Sequence, residues 1–299
     1  MARLALLNTA YSRASPWRRG VVAFACATVS CVALAAEPNT TRRIVSLAPH
    51  ATELLFSAGA GSSVVAVTES CDKPAEVVRL PKVSGFRGTN VEAVVALKPD
   101  IVIAWPSGNR STDIEAIRRF GLNVQLSELS SLASITGEVR KFSEWAANAD
   151  LRSAALRRAQ EEDQHVELLK RKFANARKVR VFYQLGKGRL FTLTDKHVIG
   201  EALSVCGAEN VFGRLALPAP EVSTEAVLSA RPDAILLADA AALSEIKKQW
   251  GVHRLFGDAS ADARIRTVDG ARLHRPTLAT FDALEAMCKT IDEIRSTLR

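Results

Sequence analysis

Short apolar runs alternate with stretches of helical spacing along most of the chain, and turn residues separate them. Ile44–Leu47 reads as a buried strand that Pro49 breaks, and Thr52–Ser57 opens a helix that Gly59 ends. Ser62–Glu69 is a second strand. Further on, "NVEAVVALKPDIVIA" (Asn90–Ala104) and "STEAVLSARPDAILL" (Ser223–Leu237) repeat one unit, in which Glu92 aligns with Glu225, Pro99 with Pro232 and Asp100 with Asp233. Asn90 or Ser223 caps a short helix, Lys98-Pro99 or Arg231-Pro232 stops it, and the strand Ile101–Ala104 or Ala234–Leu237 follows. From Ser111 another helix runs to Gly121, and a strand comes next. This order predicts an α/β fold with mostly parallel sheets covered by helices.

The alternation stops between Trp145 and Lys178, where a charged segment has neither proline nor glycine. Leu151, Ala155, Ala159, Val166, Leu169 and Phe173 fall near helical spacing there, and one helix of that length would span roughly 45 Å. Its position between the two copies of the repeat makes it a spine. The expected layout is an N-terminal lobe over 42–144, a connecting helix over 145–178 and a C-terminal lobe over 179–299, the latter starting with a strand in Lys178–Gly186. The cleft between such lobes is where a ligand is expected.

Composition is that of a globular protein, with 47% hydrophobic and 24% charged residues among 299. The net charge of +8 overstates the basicity. Residues 1–36 carry Arg3, Arg13, Arg18 and Arg19 with no acid, followed by the apolar run Val21–Ala36, and Ala33-Leu34-Ala35 offers a cleavage site. This is the pattern of a secretory signal peptide. Without it the chain is mildly basic, which argues against a nucleic-acid surface. Cys26 and Cys31 raise the alternative of a lipid anchor, but Thr28-Val29-Ser30 approaches Cys31 poorly and the apolar run continues past it, which favours soluble export.

Export leaves Cys71, Cys206 and Cys288 in an oxidising compartment, where one disulfide and one leftover thiol are expected. Cys206 and Cys288 share the C-terminal half and are the better pair. Catalytic signatures are weak. The glycines of "AGAGSS" (Ala58–Ser63) end a helix, whereas a dinucleotide fingerprint opens one, and Gly186–Gly188 lacks phosphate-loop spacing. Neither a GxSxG elbow nor an HExxH pair occurs, no zinc spacing is present, and Asp100 and Asp233 read as caps before strands. A binding protein fits better than an enzyme.

The stretches "RIVSLAPHATELLFSAGA", "KVSGFRGTNVEAVVALKPDIVIAWPSGN", "LSVCGAENVF" and "EVSTEAVLSARPD" together resemble the periplasmic cobalamin-binding members of the substrate-binding proteins of ABC importers. The resemblance covers nearly the whole exported chain. It implies a monomer without a cofactor that holds a corrinoid as cargo and docks on two inner-membrane permease subunits through Glu92 and Glu225. An acid in the first turn of a capped helix is favoured by the helix dipole, which suits that role. The resemblance also implies a disulfide between Cys206 and Cys288.

For the ligand, the resemblance places Trp105 and Phe86 at aromatic contact positions, Asp269 at a polar one, and Ser70 where a tyrosine is the rule. Ala219 and Leu185 likewise stand where aromatics are usual, so haem or a ferric siderophore is the alternative cargo. His50 follows the first strand, where a neutral imidazole could ligate cobalt or iron, although capping or packing is the ordinary role there. His274 lies near the same cleft by the family pattern.

Overall fold

The computed structural model describes residues 42–256 and 261–298. The expected signal segment over 1–36, with Cys26 and Cys31, lies outside them. The first half builds one sheet from β1 (Ile44–Ser46), β2 (Val64–Thr68), β3 (Lys82–Gly85), β4 (Gly88–Thr89), β5 (Ile101–Ala104) and β6 (Val124–Leu126). Their order is β4-β3-β2-β1-β5-β6, parallel throughout except for β4, which turns back against β3. The second half builds a fully parallel sheet, β10-β9-β7-β8, from β7 (Val179–Gln184), β8 (Ala208–Asn210), β9 (Ala234–Leu237) and β10 (Ile265–Thr267).

Helices fill the crossovers. The first half contains α1 (Pro49–Ser57), α2 (Val91–Ala96), α3 (Ser111–Arg119) and α4 (Leu132–Ser143), and α5 (Ala149–Phe173) joins the halves. The second contains α6 (Val198–Val205), α7 (Thr224–Ala230), α8 (Leu243–Val252), α9 (Ala261–Arg264), α10 (Gly270–Leu273) and α11 (Ala279–Thr297). Pro49 is the first residue of α1 rather than a spacer ahead of it, because a missing N–H costs nothing in a first turn.

Strand residues alternate between two apolar layers. Ile101 and Ile103 face one cluster while Val102 and Ala104 face another, and β9 splits the same way between Ala234 and Leu236, and Ile235 and Leu237. Each sheet therefore has its own outer layer. The inner faces of both sheets share one cluster with α1, α4, α5, α6 and α11. The two lobes thus close on a common core, which couples them more tightly than two separate cores on a rod would.

The spine, α5, is 25 residues long and so spans about 37 Å, shorter than the 145–178 segment suggested. Asn148 caps it, and the chain before it turns instead of continuing the helix. Ala155, Ala159, Val166, Leu169 and Phe173 are buried as their spacing predicted, while Leu151 is exposed at the first turn. Glu162 is also buried there, with the Arg158 guanidinium 2.6 Å from its carboxylate.

The repeated unit is repeated in three dimensions. Asn90 Oδ1 accepts the Ala93 N–H at 2.9 Å, and Ser223 Oγ accepts the Ala226 N–H at 3.2 Å. Beyond each helix, Lys98 and Arg231 take left-handed backbone angles, φ 46° and 44°. The disulfide joins Cys206, at the end of α6, to Cys288 in α11. Cys71 is a free, buried thiol whose pKa is raised by burial.

Candidate functional site

In an open parallel sheet the loops leaving the carboxyl ends of the strands form the binding edge. Here those loops carry Ser70 after β2, Phe86 after β3, Trp105 after β5 and Ser127 and Glu128 after β6, and His50 sits in the first turn of α1 after β1. A hollow of about 480 Å³ opens among them, lined by Leu47, Pro49, Ser70, Phe86, Trp105 and Asn109. A second, of about 440 Å³, opens at the corresponding edge of the other sheet, lined by Leu185, Ala238, Gly270, His274 and Arg275. Arg275 crosses from the second lobe to the first, its Nη1 reaching Glu53 Oε1 at 2.9 Å on α1 and Asp72 Oδ1 at 2.5 Å, two residues past Ser70. A further hollow of about 700 Å³ sits along β8 and α6 with Lys178 and Asp195.

The structure brings Ser70, Phe86 and Trp105 to one hollow, as the sequence suggested. Phe86 projects from the β3–β4 turn with its ring almost wholly in solvent, 98% exposed. Trp105 is held more firmly. Its indole Nε1 donates to Glu128 Oε1 at 3.1 Å, and its backbone N–H donates to Asn109 Oδ1 at 2.7 Å. Asn109 is tied in turn to the Leu47 carbonyl at 3.0 Å. Gly108 is necessary beside it, since a Cβ there would fall 2.0 Å from the indole Cε3.

His50 lies underneath. It is buried, its ring meets the Trp105 ring edge-on at 5.3 Å, and its Nε2 is 3.1 Å from Ser127 Oγ. Burial lowers its pKa to about 4, against the smaller opposing effects of Ser127 and Glu128. His197, the cap of α6, is also lowered to about 4, by burial first and by His274 second. Burial lowers His274 too, and its Nε2 lies 2.9 Å from the hydroxyl of Tyr183. Burial thus favours the neutral imidazole at all three histidines. A neutral imidazole can bind a metal, and here the Nε2 of His50 is engaged with Ser127. Among the described residues no cluster of three or more His, Cys, Asp or Glu is placed to hold a metal ion.

Asp269 precedes Gly270, which lines the second hollow. Its carboxylate caps α10, accepting the Arg272 N–H at 3.1 Å, and pairs with the Arg272 side chain at 3.5 Å. Ala219 is exposed in the loop before α7 and does not line either hollow. Glu128, His197 and Arg275 escaped the sequence reading. Glu128 had one usable signal, an acid just past a predicted strand. Arg275 had none, because its partners are 203 and 222 residues away.

Glu92 and Glu225 are both exposed in the first turns of α2 and α7. These helices run from the carboxyl edges of the sheets back to Asp100 and Asp233 at the strand starts, so both acids stand at the edge that bears the hollows. The Glu225 carboxyl is held below the usual carboxylate range by its own backbone N–H, then by the Ser223 hydroxyl, with a smaller effect of His253.

Among the described residues no helix is long and apolar enough to cross a membrane. Comparison with known proteins agrees with this architecture. The vitamin B12-binding protein of Vibrio parahaemolyticus is 33% identical over 266 residues, spanning 89% of this chain and 94% of that protein. Its counterpart in Vibrio vulnificus is 34% identical over 86% of this chain and 92% of its own. The crystal structure of the periplasmic vitamin B12 binding protein BtuF of Vibrio cholerae superposes with a TM-score of 0.75 at 32% identity, covering 86% of this chain and 98% of that one. The periplasmic heme binding protein HutB of Vibrio cholerae shares the fold at a TM-score of 0.68 and 18% identity, over 84% and 99% of the two chains. Residues 44–263 match the family described as periplasmic binding protein, and with two sheets, a bridging helix and a cleft at the strand ends, the chain belongs to that family.

Proposed function

We propose that this protein is an exported carrier that takes up cobalamin or a closely related corrinoid between its lobes and delivers it to an inner-membrane ABC importer. The observation that carries the reading is the aromatic hollow at the strand ends, in a chain whose relatives at 33% and 34% identity are vitamin B12-binding proteins. A corrin is a broad, partly apolar plate. The faces of Trp105 and Phe86 suit such a plate, while backbone groups and Ser70 can meet its amides. The corrinoid is cargo and not a cofactor, and the role requires binding without catalysis by a monomer.

Delivery would use Glu92 and Glu225. A permease with two-fold symmetry presents the same surface twice, and two outward carboxylates on equivalent capped helices answer that symmetry. Because both lobes share one core, closure would be slight, and release would come from the permease separating the lobes.

Calorimetric titration with cyanocobalamin, alongside cobinamide and haemin, tests the cargo. One-to-one binding of cyanocobalamin supports the reading; binding of haemin alone moves the cargo to a porphyrin and sinks the corrinoid assignment. The E92A/E225A double variant tests docking, with uptake by cells expected to be lost while affinity stays at the wild-type value. Uptake that persists removes both residues from the docking surface.

A further inference from the structure

We infer that Glu128 is a positioning residue for Trp105, and that affinity in the cleft depends on its carboxylate through that one indole. This rests on the cleft being the ligand site. Glu128 follows β6 and reaches across to the loop after β5. Its Oε1 accepts the Trp105 Nε1–H at 3.1 Å and the Ser107 hydroxyl at 2.9 Å, and its Oε2 accepts the Ser107 backbone N–H at 2.9 Å. One exposed side chain therefore ties two binding loops together and sets the plane of the indole.

The donor set calls for a carboxylate specifically. An indole N–H and a backbone N–H can only donate, and each faces a different oxygen of Glu128. A glutamine of the same shape has one acceptor and one donor, so its amide must oppose one of them. Two further contacts limit the indole from other sides, the edge-on His50 ring at 5.3 Å and the bare Cα of Gly108. Packing bounds the ring on those sides, and Glu128 supplies the hydrogen bond that chooses among its remaining orientations. An aromatic face already fixed in its bound orientation spares the ligand the cost of ordering it.

The test uses E128Q and E128A, each in the wild-type and W105F backgrounds. The W105F change keeps an aromatic plate and removes the indole N–H. In ligand-free ¹⁵N-labelled protein, E128Q is expected to shift the Trp105 indole resonance and leave those of Trp145 and Trp250 in place. Titrated with cyanocobalamin, E128Q should weaken binding roughly threefold to tenfold, the range for one hydrogen bond. In the W105F background the same change should cost nothing further, since the pair acts as a unit. Equal weakening in both backgrounds overturns the inference, because Glu128 would then act on the ligand or the fold directly. An unmoved indole resonance overturns it as well. If wild-type protein ignores cyanocobalamin, the cargo assignment fails by itself, and the indole resonance in E128Q still decides whether Glu128 positions Trp105.

Discussion

Arg43 stands directly before β1 and Arg180 is the second residue of β7, and they do the same work in the two lobes. Each backbone N–H donates to an aspartate, Arg43 to Asp100 at 2.7 Å and Arg180 to Asp233 at 2.9 Å. Each guanidinium reaches the carbonyl that ends the neighbouring capped helix, Leu97 at 2.9 Å and Ala230 at 2.8 Å. The strand ends pointing into the cleft share no such likeness. The first lobe presents Trp105, Phe86 and a buried His50 there, and the second presents Leu185, Gly270, His274 and Arg275. The frame that would meet a symmetric permease is duplicated, and the surface that would meet an asymmetric ligand is not.

Stability separates the lobes most sharply. The disulfide lies in the second lobe alone and closes a loop with a sequence separation of 82, so replacing Cys206 and Cys288 by serine should cost about 4 kcal/mol. Since the inner core is shared, thermal unfolding of that variant should remain a single transition at a lower midpoint. Two separate transitions would mean that the lobes unfold independently, contrary to the common core.

Acid should then reveal what the lobes have in common. His50 in the first and His197 in the second both have a pKa of about 4 when folded, against 6.5 in the open chain. The unfolded chain therefore takes up protons between those values while the folded protein does not. Stability is full above pH 6.5 and falls toward pH 4, by on the order of 3 kcal/mol for each histidine. His274 is lowered too, so in H197N, which keeps a capping side chain for α6, urea midpoints from pH 7 to pH 4.5 should fall less steeply than in the wild type without the slope being lost. The H50N variant should do the same. An unchanged slope in either would show that its histidine is already protonated in the fold.

Ligand affinity tests the difference in the cleft. Truncating Trp105 to alanine should weaken cyanocobalamin binding by about thirtyfold, roughly 2 kcal/mol. Leu185→Phe would give the second hollow an aromatic face and should strengthen binding by a smaller factor, about threefold. A gain as large as the Trp105 loss would mean that the second lobe normally dominates, reversing the assignment.

Arg275 gives the smallest effect. It bridges the lobes, but Asp72 is 63% exposed, and solvent screens the pair. R275A should lower stability by less than about 1 kcal/mol at pH 7. The Asp72 carboxyl is depressed mainly by its hydrogen bond to Arg275, so this contribution is present above the ordinary value of 3.8 and disappears as pH falls through the lower folded value. The difference between wild type and R275A in urea should therefore close in acid. A difference that stays constant would assign the effect to packing of the side chain.

Much of the frame could be read from the chain because its causes are local. The strands Ile101–Ala104 and Ala234–Leu237 have the predicted bounds, since a Pro-Asp pair precedes each and a turn follows. The caps at Asn90 and Ser223 act over three residues. Ser70, Phe86 and Trp105 came from the resemblance to the cobalamin-binding proteins, and the structure sets all three around one hollow. The spine was drawn too long because residues 145–148 have helical composition, yet a tertiary contact takes them, the Ala147 N–H donating to the Gly59 carbonyl at 2.9 Å.

The chain by itself therefore determined the α/β order and the duplicated unit of capped helix and strand, set by periodicity, capping and turns within a few residues, while the candidate cleft residues came from the family resemblance. Tertiary structure alone decided that both lobes share a core, that Glu128 meets Trp105, that Arg275 crosses to Glu53 and Asp72, and that His50 is neutral. Those outcomes depend on which polar groups are brought together and dried out when distant loops converge, and neighbouring residues in the chain carry no trace of it.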